Sequence, residues 1–142
     1  MAPRNFKTLS PSIIDIGDIA DVFDRDERVL FAYVYGSFCD SESPNDLDIA
    51  VYSVDGCDGF ALSADLKIGL SQGTGLPPDI FDIRILNRLT ENGDLFALLY
   101  LKNVFEAGRL ILDKDFLKRS AFIEKYSMKY RECEGLFGEV LL

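Results

Sequence analysis

The pattern of apolar residues along this 142-residue chain predicts an α/β (α+β) fold, a mixed β-sheet of about four strands packed with helices. Three observations carry that expectation. Helical and strand patterns alternate in the order α-β-β-α-β-α-β-α. The first two strands follow each other through a short polar loop, so they should pair antiparallel. A helix separates the second strand from the third and can serve as a crossover. The length suits one domain, residues 1–142, with a real core and no second module.

Each element has its own signal. Ser12 to Glu27 carries Ile16, Ile19, Ala20 and Phe23 at helical spacing, with Ser12 as the expected N-cap and acids in the first turn. Val29 to Tyr35 (VLFAYVY) is apolar on both faces and reads as a buried central strand. Phe38 to Asn45 is a polar loop, and Asp46 to Tyr52 (DLDIAVY) alternates as a second strand. Phe60 to Gln72 places Leu62, Leu66 and Leu70 along one helical side, and Gly73 to Pro78 (GTGLPP) forces a loop. Ile80 to Leu86 (IFDIRIL) reads as a third strand. Glu91 to Glu106 reads as a helix that stops at Ala107-Gly108. Arg109 to Leu112 is a short strand and Asp115 to Arg131 a final helix, followed by an apolar tail, Leu136 to Leu142, expected to fray, dock on the domain or bury in a partner.

Composition narrows the chemistry. The chain is 48% hydrophobic and 27% charged, with 24 acidic and 15 basic residues, a net charge of −9 and no histidine. Ser-His-Asp and Cys-His catalysis are excluded, as is an imidazole-bound zinc. The acidity argues against broad, direct DNA binding, which needs a basic face. It is compatible with a divalent cation held by carboxylates. Cys39, Cys57 and Cys133 are an odd number without CxxC spacing, so a reducing, cytoplasmic location is the expectation. The first residues lack the apolar core of a signal peptide, and no apolar run approaches the ~20 residues of a membrane span.

The strongest chemical signal is Gly36-Ser37, eight intervening residues, then Asp46-Leu47-Asp48. Carboxylates at i and i+2 of a strand share a face and repel unless a cation lies between them. A glycine at the end of the neighbouring strand lets the backbone approach a phosphate, and the serine hydroxyl can bond it. A metal-binding pair beside a phosphate cradle suits nucleotidyl or phosphoryl transfer. A third carboxylate should come from another strand. Asp82, inside an apolar run, and Asp79, just after Pro77-Pro78, are the two candidates, and their opposite parity lets only one face the site. Arg84 shares the parity of Asp82 and suits either a triphosphate contact or a surface ion pair. Cys39 has no nearby base and is given no nucleophilic role. The aromatics of the last two helices read as core.

Gly36-Ser37, Asp46-x-Asp48 within DLDIAVY, and the strand IFDIRIL resemble the DNA polymerase β-like nucleotidyltransferase superfamily. The resemblance covers roughly Val29 to Tyr130 and includes FEAGRLILDKD and the helix FIEKYSMKYREC. The short length is similar to the minimal nucleotidyltransferases (MNT), many of which are antitoxins of HEPN-domain toxins. The resemblance implies the nucleotidyltransferase fold. It implies that Asp46, Asp48 and Asp82 bind Mg²⁺ and act catalytically, and that Gly36 and Ser37 bind the nucleotide. The implied reaction is attack of an acceptor hydroxyl on the α-phosphorus of ATP. In the antitoxin branch the acceptor is a tyrosine of the HEPN-type toxin, which becomes AMP-modified.

Two departures stand out. The loop between Gly-Ser and Asp-x-Asp is shorter than usual, and the arginine and glycine that often follow Gly-Ser are replaced by Phe38, Cys39 and Asp40. The alternatives are therefore an antitoxin that has kept the fold but neutralises its partner by contact, and a free-standing enzyme acting on a small molecule. Either a homo-oligomer or a hetero-oligomer is compatible with the sequence.

Overall fold

A computed structural model describes residues 15–35 and 46–141, with side chains as far as Leu136. The chain runs α1 (Ile16–Arg25), β1 (Val29–Tyr35), β2 (Leu47–Ser53), α2 (Gly59–Thr74), β3 (Phe81–Ile85), α3 (Leu95–Ala107), β4 (Arg109–Asp113) and α4 (Phe116–Leu141). A 3₁₀ turn, Pro78–Ile80, leads into β3. Ser12, the loop 36–45 and Cys39 lie outside the described residues.

Aspartates start the helices. The Asp15 carboxylate accepts from Gly17 N at 2.8 Å. Asp58 accepts from Phe60 N and Ala61 N, and Asp94 from Phe96 N and Ala97 N. Asp115 accepts from Lys118 N at 3.0 Å. Each satisfies amide groups that the first turn leaves without a partner. Asp15, not Ser12, is therefore the cap of α1, and α1 is shorter than expected at both ends. Asp94 likewise delays α3 beyond the expected Glu91.

The C-terminal ends differ from expectation for equally local reasons. α2 continues through Gly73 and Thr74 and stops at Gly75, whose φ of 78° is the left-handed conformation that glycine tolerates. Gly108 ends α3 in an extended conformation, so its role is space: a Cβ there would run into the carbonyl oxygen of Val104. α4 runs on to Leu141, well past the expected Arg131, so the backbone of the apolar tail is helical.

The sheet is open, with strand order β3-β2-β1-β4. β1 pairs antiparallel with β2 and β4, and β2 pairs parallel with β3 across the α2 crossover. α1 and α2 cover one face over Val34, Leu47, Ile49, Val51, Phe81 and Ile83. α3 and α4 cover the other over Phe31, Tyr33, Tyr35 and Ala50, with Leu98, Leu101, Val104 and Phe122. Each fully buried Leu, Ile or Phe contributes on the order of 1.5–3 kcal/mol. No helix among the described residues is long and apolar enough to cross a membrane.

Candidate active site

The ladder registers bring three polar side chains into one row. Tyr35, the last residue of β1, lies opposite Asp48 in β2, and Asp48 lies opposite Asp82 in β3. Residues directly opposite across a sheet share a face, so the row stands on the α3/α4 side. Asp46 has the parity of Asp48 and is exposed where the chain enters β2. Of the two candidates for a third carboxylate, Asp82 is the one in register with Asp48. Asp79 is exposed in the 3₁₀ turn, outside the ladder. Gly36 and Ser37 follow Tyr35 in the chain and lie outside the described residues.

The electrostatics of the row are unfavourable by themselves. Partial burial raises the Asp48 pKa, and the Asp82 carboxyl, close enough to share a hydrogen bond, raises it further. Asp46 adds to the effect and Arg84 opposes it. Such a pair of carboxylates is relieved by a cation. Asp46, Asp48 and Asp82 are the groups that could hold one. Among the described residues, no set of three or more acidic or thiol side chains is gathered closely enough to hold a metal ion. The donor set fits an open Mg²⁺ site, which commonly uses one or two carboxylates and leaves the rest to water and substrate phosphates.

Two tyrosines and an arginine frame the row. Tyr35 and Tyr100 of α3 meet edge to face with ring centroids 5.3 Å apart. Burial pushes the Tyr35 phenol up to about 12, and burial likewise raises Tyr100. The Tyr100 hydroxyl is buried and, although it faces Tyr35 closely enough for the two phenols to influence each other, completes no well-aligned hydrogen bond. The Arg84 guanidinium lies 4.6 Å from the centre of the Tyr100 ring. In sequence Tyr100 reads as core and Tyr35 carries no role of its own. The available signal was position: Tyr35 immediately precedes Gly36-Ser37.

A cavity of about 950 Å³ opens at the other end of β2 and β3, around Tyr52, Cys57, Phe60 and Asn87. Neither Asp48 nor Asp82 lines it, so the carboxylate row is not the floor of this cavity. Arg84 belongs to both neighbourhoods.

An open mixed sheet with this carboxylate row defines a class that comparison with known proteins establishes directly. Residues 17–117 match the family described as polymerase beta, nucleotidyltransferase. The chain belongs to the polymerase β nucleotidyltransferase family. Among solved structures it is similar to a double aspartate-to-glutamate variant of an MntA–HepT toxin–antitoxin (16% identity, TM-score 0.62, covering 91% of this chain and 100% of that one). It is also similar to a toxin–antitoxin with AMP-PNP (19%, TM-score 0.61, 91% and 100%). A third is a tri-AMPylated HEPN toxin in complex with MNT antitoxin from Shewanella oneidensis (19%, TM-score 0.55, 89% and 96%). At these identities the likeness is one of fold. No curated protein matches the chain.

Proposed function

We propose that this chain is an Mg²⁺-dependent nucleotidyltransferase acting in the cytoplasm as the antitoxin of a HEPN/MNT pair, and that it transfers AMP from ATP to a tyrosine of its toxin. The observation that carries the reading is the register of Asp48 opposite Asp82, in a chain of the polymerase β nucleotidyltransferase family. Bound Mg²⁺ supplies neutralisation of the phosphates and polarisation of the α-phosphoryl group. Asp48 and Asp82, in register, would hold it, with Asp46 at the entry to β2 as the further ligand. Gly36 admits the phosphates close to the backbone and Ser37 donates a hydrogen bond to them. The acceptor oxygen forms a bond to the α-phosphorus, and the α–β bridging P–O bond breaks. Pyrophosphate leaves, and the hydroxyl proton passes to a carboxylate of the row. Two of the similar structures support the nucleotide and the kind of partner, one being a toxin–antitoxin with AMP-PNP and one an AMPylated HEPN toxin with its MNT antitoxin.

The test is transfer of label from α-labelled ATP to the partner toxin in the presence of Mg²⁺. The expected result is one or more labelled tyrosines, abolished by EDTA and reduced about a hundredfold or more by Asp46→Ala or Asp48→Ala. Full transfer by both variants would remove the metal assignment.

A second reading, neutralisation by contact alone, is favoured by one observation. No lysine or arginine lies between Arg28 and Lys67, whereas Asp40, Glu42, Asp46 and Asp48 do. If Asp48→Ala still neutralises the toxin in cells, contact and acidic charge are sufficient.

A further inference from the structure

We propose that Arg84 contacts the phosphate oxygens of a nucleotide bound at the Asp48–Asp82 pair, and that the ring of Tyr100 holds it ready for that contact. The inference rests on the reading that a nucleotide binds at this row.

The need for a cation follows from the charges. A nucleotide triphosphate brings about four negative charges, and the row adds its own carboxylates. One divalent ion leaves that sum negative. The segment from Val29 to Leu66 contains both the strands and the loop of the proposed cradle, and it holds no lysine or arginine. Neutralisation must therefore come from another element.

Arg84 is placed to supply it. It lies opposite Ala50 in the β2–β3 ladder, one same-face position beyond the Asp48–Asp82 pair. Its charge already acts on Asp48, Tyr35 and Tyr100. Its side chain is exposed and makes neither a hydrogen bond nor an ion pair among the described residues. Its neighbour Arg88, by contrast, is paired with Glu91 at 3.5 Å. The contact that Arg84 does make, over the Tyr100 ring at 4.6 Å, uses the cation–π attraction and leaves its N–H donors for an anion. Stacking also restricts a flexible side chain before the ligand arrives, which lowers the ordering cost of binding. Arg84 is thus a ligand-contacting residue and Tyr100 its positioning residue.

The test is calorimetric titration of the full chain with Mg²⁺ and AMP-PNP. Arg84→Ala should weaken binding about tenfold or more, and Arg84→Lys should recover part of the loss. Tyr100→Phe keeps the ring and should bind like the wild type, whereas Tyr100→Leu should weaken binding severalfold. Arg88→Ala should leave binding unchanged. Arg84→Ala should still fold, losing at most the small contribution of an exposed cation–π contact with Tyr100, because the side chain makes no hydrogen bond or ion pair among the described residues. Since Tyr100→Leu alters a packed face, the Arg84 variants decide. Wild-type affinity in Arg84→Ala would overturn this inference while leaving the proposed function standing. Failure of the wild type to bind Mg²⁺ and AMP-PNP would overturn both.

Discussion

Asp48 sets stability against chemistry. It is partly buried, faces Asp82 directly and has Asp46 on its own strand. Like charges opposite each other in a sheet cost up to about 1 kcal/mol. Asp48→Asn should therefore melt higher than the wild type in EDTA, an advantage that shrinks when Mg²⁺ is added, while losing transferase activity. Thermal denaturation with and without the ion checks this. Asp26 behaves in the opposite sense. It accepts hydrogen bonds from Arg28 Nε and Nη2 at 2.9 and 2.7 Å, and Arg28 also reaches Asp65 of α2 at 3.1 Å. The hydrogen bond from Arg28 lowers the Asp26 pKa against a smaller opposing effect of burial. A lowered carboxyl contributes stability that is fully present above its unfolded value of about 4 and is lost as the pH falls through the folded value. Asp26→Asn should thus be less stable than the wild type at pH 7, with the difference closing as the pH drops below about 4. Denaturant midpoints across that range measure it.

The elements are joined by contacts of different legibility. β1 was readable to the residue, because an apolar run flanked by Arg28 and Gly36 leaves no other boundary. Its Phe31 is fully buried and stacks on Tyr52 with centroids 4.8 Å apart. Phe31→Ala should cost about 3–5 kcal/mol in equilibrium unfolding. The packing of α1 on α2 was not readable. Gly69 and Gly73, four residues apart on α2, both face Val22 of α1, and a Cβ on either would approach a Val22 methyl to 3.2 Å. In sequence Gly73 looks like the start of a loop; only the neighbouring helix shows that it is a site of close approach. Gly73→Leu should destabilise the fold by about 1–3 kcal/mol, read from a denaturant midpoint. α4 runs past the expected Arg131 because the charged residues from Lys129 to Glu134, which interrupt the apolar pattern, are good helix formers. The parallel placement of β3 beside β2 was foreseen from the crossover helix. Its register, which brings Asp82 and not Asp79 to Asp48, required the structure.

Across the whole molecule the two faces of the sheet do different work. The α1/α2 face is largely aliphatic, whereas the α3/α4 face is rich in tyrosine and phenylalanine, with linked ring pairs from Phe31 through Phe122 and Phe105 to Tyr126. Tyrosine at the edge of the aromatic face brings a polar tip to the carboxylate row without a large loss of packing. The net charge of −9 separates in a similar way. Asp15, Asp58, Asp94 and Asp115 bond to amides at helix starts, Asp26 and Asp113 hold arginines, and Asp48 stands opposite Asp82 at one end of the sheet with Asp46 two residues before it. Of the candidate site, the Asp-x-Asp pair stands out in the sequence because two acids at strand spacing on one face demand a reason, whereas the sequence leaves Asp79 and Asp82 as rival outer acids. For Arg84 the sequence leaves a triphosphate contact and a surface ion pair open, and Tyr100 reads as core; their contact joins β3 to α3 and has no signature in local sequence. A metal and nucleotide site at this row should show itself in crystals of the protein grown with Mn²⁺ and AMP-PNP, through the anomalous signal of the ion. The expected result is a peak between Asp48 and Asp82 with phosphate oxygens in its coordination shell; bound AMP-PNP with the ion located elsewhere, or no ion at the row, would mean that the row is not that site.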